Sequence, residues 1–279
     1  MGIDDYNGIF ENFERENGFS VMPEAVSDVL YALESDLASL NDIAEIIKRD
    51  PGFAAQIMKY ANSGAYLLSA PASTVNQAIR VIGLRPLKGL CLAIPVFTRY
   101  DHVIGIREIW AHSHATAIVC NIIARAIGFS DPDIAETAGL LHDIGKVVLS
   151  VSIANFFQSQ IQVAASLDRE ADWKQEKSLL GFTHCFIGAW FARKFKLPQP
   201  LVDVILWHHE FEKSAYGRDL TCLTFVGDQI AVAAGRTHPD FVFLEPDFVR
   251  ALNHMKIDNM LLRKILEECL TRVEKMAAL

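Results

Sequence analysis

Histidines and acidic residues recur through the second half of the chain at spacings that could hold a cation. In order they are Glu108-x-x-x-His112, His142-Asp143-Ile-Gly-Lys146, His184, His208-His209 and Asp228. Glu108 and His112 are four residues apart, so on a helix they share a face. Lys146 follows Asp143 by three residues and His142 by four, which brings its ammonium to the face of that pair. Imidazole with carboxylate is the donor set of borderline to hard divalent metals, here one or two ions of Fe, Mn, Ni or Zn. Several helices each giving one or two such side chains is how helical bundles build metal centres.

Singly, these residues carry little. A lone histidine on an apolar helix is more often a hydrogen-bonded core residue than a ligand, and His102, His114, His238 and His254 are read that way. His114 is two residues from His112 and on a helix faces elsewhere. Neither a Gly-rich phosphate loop nor a Ser-His-Asp order is present, so covalent catalysis has no support.

The elements that must position these side chains read as helices throughout. Helical periodicity recurs and no stretch shows sustained alternation of period two, which makes the fold all-α. Ser39-x-x-Asp42 resembles a capping box ahead of Ile43, Ile46 and Ile47. Asp50-Pro51 ends that helix and starts the next, which stops at Asn62-Ser63-Gly64. Val75, Ala78, Ile79 and Ile82 mark a third, closed by Gly83. A second series follows: Glu108 to Arg125, Pro132 to Ser150 as one helix, Thr183 to Phe195, Pro200 to His209 and Leu220 to Ala234. Thr237 to Pro246 reads as a loop, with two helices after it. The expected division is an N-terminal helical lobe over 1–104, a bundle bearing the candidate site over 105–236, and C-terminal helices over 237–279. The first lobe has no histidine before His102, and it is expected to supply packing surface and no ligand.

The chain has 279 residues, 51% hydrophobic and 22% charged, a globular composition. A net charge of −8 disfavours a nucleic-acid partner. The apolar stretch from Gly89 to Phe97 contains Pro95 and is far too short for a bilayer span, so no membrane partner is expected. The start, Met1 to Tyr6, is acidic and lacks the layout of a secretory signal, and Tyr6 breaks the myristoylation motif that Gly2 suggests. A cytoplasmic location is the expectation. The five cysteines are odd in number, without C-x-x-C, and read as buried small hydrophobes in a reducing compartment. Arg80, Arg85, Lys88 and Arg99 form a local basic group, read as a solvated helical face.

Taken in order, the motifs resemble those of a known family. His142-Asp143-x-Gly-Lys146, then Gly181-Phe-Thr-His184, then Trp207-His208-His209 and Asp228 are similar to the HD superfamily of metal-dependent phosphohydrolases. Val21-Met22-Pro23, Asp50-Pro51, Ala61-Asn62-Ser63 and Ala78-Ile79-x-x-Ile82-Gly83-Leu84-x-x-Leu87 resemble landmarks of its bacterial signalling branch, HDOD. The resemblance covers about residues 20 to 235. It implies that His112, His142, Asp143 and Asp228 match a single-metal quartet, and that His184, His208 and His209 match the extra positions of multi-metal relatives such as the HD-GYP phosphodiesterases. Glu108 fits an added carboxylate that some of those carry. It further implies Asp143 as a bridge between two metals, Lys146 as the group that meets phosphate charge, and a small phosphoester or nucleotide ligand or a regulatory protein as partner. Catalysis stays open, because many HDOD proteins have lost ligands. After Glu210 the chain reads Phe211-Glu-Lys-Ser-Ala-Tyr216-Gly217, without the Gly-Tyr-Pro of HD-GYP proteins, which argues against a cyclic di-GMP hydrolase.

Overall fold

The computed structural model describes residues 8, 10–11, 24–35, 37–63, 66, 68–100, 103, 105–156, 172–234 and 245–277. Val21-Met22-Pro23, Gly64, His102, His238 and most of the loop expected over 237–246 lie outside the described residues. Among the described residues every regular element is a helix, as the periodicity predicts.

The first helices are α1 (Glu24–Glu34), α2 (Leu40–Lys48), α3 (Pro51–Ala61), α4 (Val75–Ile82) and α5 (Leu84–Arg99). Ser39 and Asp42 form the expected capping box at the start of α2, with the Ser39 amide donating to Asp42 Oδ2 at 2.8 Å. Asp50 caps α3 by accepting from the Phe53 amide, and Pro51 occupies the first turn. Asn62 ends that helix and then pins the loop beyond it. Its Nδ2 donates to the Ala72 carbonyl, and its Oδ1 accepts from the Ala72 amide at 2.7 Å.

Two helices form the spine of the second half, α6 (Ile106–Ile127) and α7 (Pro132–Leu141), packed closely along each other. Gly128, with φ of 69°, closes α6 in the left-handed region, and the Phe129 amide turns back to the Ala124 carbonyl. Asp131 then caps α7 with Pro132 in its first turn, so the reversal takes few residues. Gly139 makes this packing close: a Cβ there would stand 2.8 Å from the Ala117 backbone.

Next come α8 (Ile144–Phe156), α9 (Asp172–Leu180), α10 (His184–Lys194), α11 (Gln199–Trp207), a 3₁₀ turn (Phe211–Lys213), α12 (Arg218–Ala234), α13 (Pro246–His254) and α14 (Asn259–Ala277). The single helix expected from Pro132 to Ser150 is in fact two, broken at His142-Asp143. One buried hydrophobic cluster runs from Val26 and Ile43 to Ile265, through residues of α6, α7, α10, α11 and α12. All five cysteines are buried and unpaired. No single helix among the described residues is long and apolar enough to cross a membrane.

Candidate metal centre

The break between α7 and α8 is what aims the His-Asp dipeptide. On an unbroken helix consecutive side chains diverge by about 100°. Here His142 ends α7, Asp143 occupies the turn, and His142 Nε2 lies 3.3 Å from Asp143 Oδ2. Gly145 secures the arrangement by letting α8 touch α10, since a Cβ at that position would be 1.9 Å from the His184 carbonyl oxygen.

Around Asp143 the histidines divide into two groups. On the Oδ2 side, His112 Nε2 is 2.9 Å from Asp228 Oδ1 and 3.3 Å from His142 Nε2. Lys146 Nζ also reaches Asp143 Oδ2, at 2.8 Å, and so pairs with the central carboxylate itself. On the Oδ1 side, His184 Nε2 is at 3.3 Å and His208 Nε2 at 3.5 Å. His209 Nε2 joins this group 3.3 Å from His184 Nε2. Seven side chains named from sequence spacing thus meet around Asp143, drawn from α6, the end of α7, α8, α10, the end of α11 and α12.

Glu108 does not join them. It is exposed in the first turn of α6, one turn of about 5.4 Å along the axis from His112, where the helix runs out past the site. His114, expected elsewhere, is buried and stacks on Tyr60 with ring centroids 4.3 Å apart, and burial depresses its pKa to about 3. His254 pairs with Asp219 at the surface.

Outer partners orient three of the imidazoles. His142 Nδ1 donates to the Gly139 carbonyl at 2.7 Å, and His208 Nδ1 to the Ile205 carbonyl at 3.1 Å. His184 Nδ1 lies 2.8 Å from Glu176 Oε2, on α9. With Nδ1 engaged in this way, Nε2 is the ring atom turned toward Asp143. Glu176 went unnoticed in the sequence because it sits among the charges of Lys174-Gln-Glu-Lys177. Trp173, one turn earlier, stacks its ring on His209 with planes 10° apart. Cys185, read as a core hydrophobe, is buried but brings Sγ within 3.4 Å of His184 Nε2.

This geometry suits a cation. Asp143 Oδ1 is buried and accepts no hydrogen bond, although two imidazole nitrogens stand close to it. The Nε2 atoms of His184 and His208 face one another 3.4 Å apart. A cation between these atoms would satisfy the unpaired carboxylate oxygen, and the donor set is one for divalent transition metals. Protonation reflects the same demand. Burial opposes charge on His142, yet Asp143 and Asp228 lift its pKa to about 10, while burial takes His208 down to about 4. The His184, His208, His209 and Cys185 group, and the His112, His142 and Asp228 group, each present donor atoms compact enough for one ion.

The segment that replaces Gly-Tyr-Pro is a turn held by the buried Asp203. Its Oδ2 accepts from Ser214 Oγ and from the amides of Ala215 and Tyr216, at 2.8 to 2.9 Å.

An all-helical bundle with a His-Asp pair at a helix break, ringed by further imidazoles and a distal aspartate, defines a protein of the HD superfamily. The HDOD domain model matches residues 20–211, and the chain belongs to the HDOD family. It is similar in fold to an HDOD domain protein of Geobacter sulfurreducens, with 23% identity, a TM-score of 0.67, and coverage of 91% of this chain and 92% of that one. A Marinobacter aquaeolei protein classed with signal transduction shares the fold at 21% identity and a TM-score of 0.73, over 99% of this chain and 64% of that one. Ribonuclease Y of Pelobacter propionicus is 32% identical over 107 residues, which is 38% of this chain and 15% of that one. Another curated relative is matched over 38% of its length.

Proposed function

We propose that this HDOD protein acts in bacterial signal transduction through a divalent-metal centre that handles a small phosphoester. His112, His142, Asp143 and Asp228 would hold one ion; His184, His208 and His209, sharing Asp143, would hold a second. Ions bound there supply Lewis-acid polarisation of a phosphoryl oxygen and acidify water. The observation that carries the reading is the buried Asp143 Oδ1, without a hydrogen bond, 3.3 and 3.5 Å from the Nε2 atoms of His184 and His208.

The chain's own groups have separable tasks. Asp143 holds both histidine groups in register, one on each oxygen. Lys146, less buried than the histidines it adjoins, fixes Asp143 Oδ2 and adds positive charge where a phosphate approaches. Glu176 and the Gly139 and Ile205 carbonyls keep the imidazole tautomers donor-ready. Burial of His142, Asp143, His184 and His208 excludes bulk water and strengthens each electrostatic contact. The stretch shared with ribonuclease Y supports a phosphodiester among the substrates to be tried, while the net charge of −8 argues against RNA itself. A cytoplasmic setting agrees with five buried, unpaired cysteines.

Elemental analysis of protein purified without chelator is expected to show roughly stoichiometric transition metal, lowered in the double variant His142→Ala, Asp143→Ala. The metal-loaded protein is then assayed against phosphomonoesters, phosphodiesters and cyclic dinucleotides, with Asp143→Ala abolishing any turnover. Protein that binds none of Fe, Mn, Ni or Zn overturns the proposal. Protein that binds metal without turnover limits the centre to sensing or partner binding.

A further inference from the structure

A cavity of about 430 Å³ lies away from the metal cluster, lined by Arg80 of α4, Asn121 and Arg125 of α6, Asp133 and Glu136 of α7, Arg272 of α14, and Tyr66. Its volume falls within the roughly 300–1,000 Å³ of small-molecule sites. We infer that this cavity is a second ligand site, taking a phosphate-bearing small molecule about the size of a nucleoside monophosphate.

Three guanidinium groups converge here in a chain whose net charge is −8. Arg272 is paired with Glu268 at 2.6 Å, and the other two are not so engaged. Neither Arg80 nor Arg125 has a salt bridge among the described residues, and Arg125 spends only its Nε, donating to Asn121 Oδ1 at 2.7 Å. Arg80, part of the basic group read from sequence as a solvated face, lines this cavity. Its companions Arg85 and Lys88 are occupied by Asp131 and Glu34.

The lining also holds a buried carboxyl. Glu136 is 5% exposed and is gripped by hydroxyls from the first lobe, with Tyr66 and Tyr60 donating to Oε1 while Asn121 Nδ2 donates to Oε2 at 2.9 Å. Burial, then Asp133, raise the Glu136 pKa to about 7, so in slightly acid solution one carboxylate fewer faces the arginines. Planar guanidinium forks match phosphate oxygens, and a hydroxyl, amide and carboxyl beside them suit the ribose or base of a nucleotide.

The same helices lead to the metal cluster. Glu136 precedes His142 by six residues on α7, about 9 Å, and Asn121 follows His112 by nine on α6, about 13 Å. A ligand in the cavity therefore rests on the two elements that carry His112 and His142. The site does not depend on the metal-centre reading.

The test uses AMP as probe, with inorganic phosphate and adenosine beside it, measured by isothermal titration calorimetry on the full chain. AMP is expected to bind and adenosine to fail, and the double variant Arg80→Gln, Arg125→Gln is expected to weaken AMP binding at least tenfold. Both arginines are exposed, so the variant should melt like the wild type. The His142→Ala, Asp143→Ala variant is expected to retain AMP binding. No AMP binding at millimolar concentration overturns the inference. So does AMP binding that survives the arginine changes or disappears in the metal-cluster variant.

Discussion

Replacing Glu136 with glutamine tests the buried network on α7 directly. The group ordinarily ionises near 4.5, and in the fold its pKa stands at about 7. Between those values the unfolded chain ionises freely while the folded chain keeps its proton. Stability therefore falls as pH rises from 4.5 to 7 and levels off above. At about 1.4 kcal/mol for each unit, the loss comes to about 3 kcal/mol. Burial is the largest cause. The charged or titratable groups facing Glu136 are Tyr60 of α3, Tyr66, Arg125 of α6 and Asp133 of α7, with Arg80 of α4 and Arg272 of α14 lining the same cavity. Glutamine imitates the protonated acid, since its amide can donate to the Tyr66 oxygen while its carbonyl accepts from Asn121. Glu136→Gln should thus match the wild type near pH 4.5 and exceed it by about 3 kcal/mol at pH 7.5. For a chain of this size that is a difference of about 6–12 °C in Tm. Thermal melts of both proteins across this range, in a buffer free of phosphate, read the divergence. Parallel melting curves from pH 4.5 to 7.5 would refute the reasoning.

Two further outcomes follow from the site's supports. Glu176→Gln should weaken metal affinity about 10–100-fold with α9 intact, because it loosens the His184 tautomer; competition against a chromogenic chelator measures this, and unchanged affinity removes Glu176 from the centre. Gly145→Ala should lower stability by about 3 kcal/mol or more, since the added methyl meets the His184 carbonyl and backbone cannot swing aside. A Tm within a degree of the wild type would contradict the close crossing of α8 and α10.

The helices were legible because their start signals are local. Ser39, Asp50 and Pro51 act within one turn, and apolar spacing marks the buried faces. The histidines and aspartates of the cluster were legible as residue types in order, and their meeting around Asp143 follows from helices each too apolar to stay apart. Three features were hidden. The break at His142-Asp143 has no proline or capping signal, and depends on α10 pressing against Gly145. Glu108 shares a nominal face with His112, but spacing does not reveal where a helix leaves the core. Glu176, and the grip of Tyr60, Tyr66 and Asn121 on Glu136, arise from tertiary contacts; Tyr66 and Glu136 are 70 positions apart.

The order of the cluster along the chain bears on how the protein is made. His112 leaves the ribosome first, and Asp228, its partner at 2.9 Å, leaves last. Eighty-five residues separate Asp143 from Asp228, roughly 4–17 s of synthesis at bacterial rates. Through that interval the nascent chain presents its imidazoles without the carboxylate that completes the set. A chain truncated just before α12 would keep most of its helices and six of the seven residues around Asp143, yet lack the one that answers His112. Completion of the site thus reports that synthesis has passed through α12, with α13 and α14 still to come.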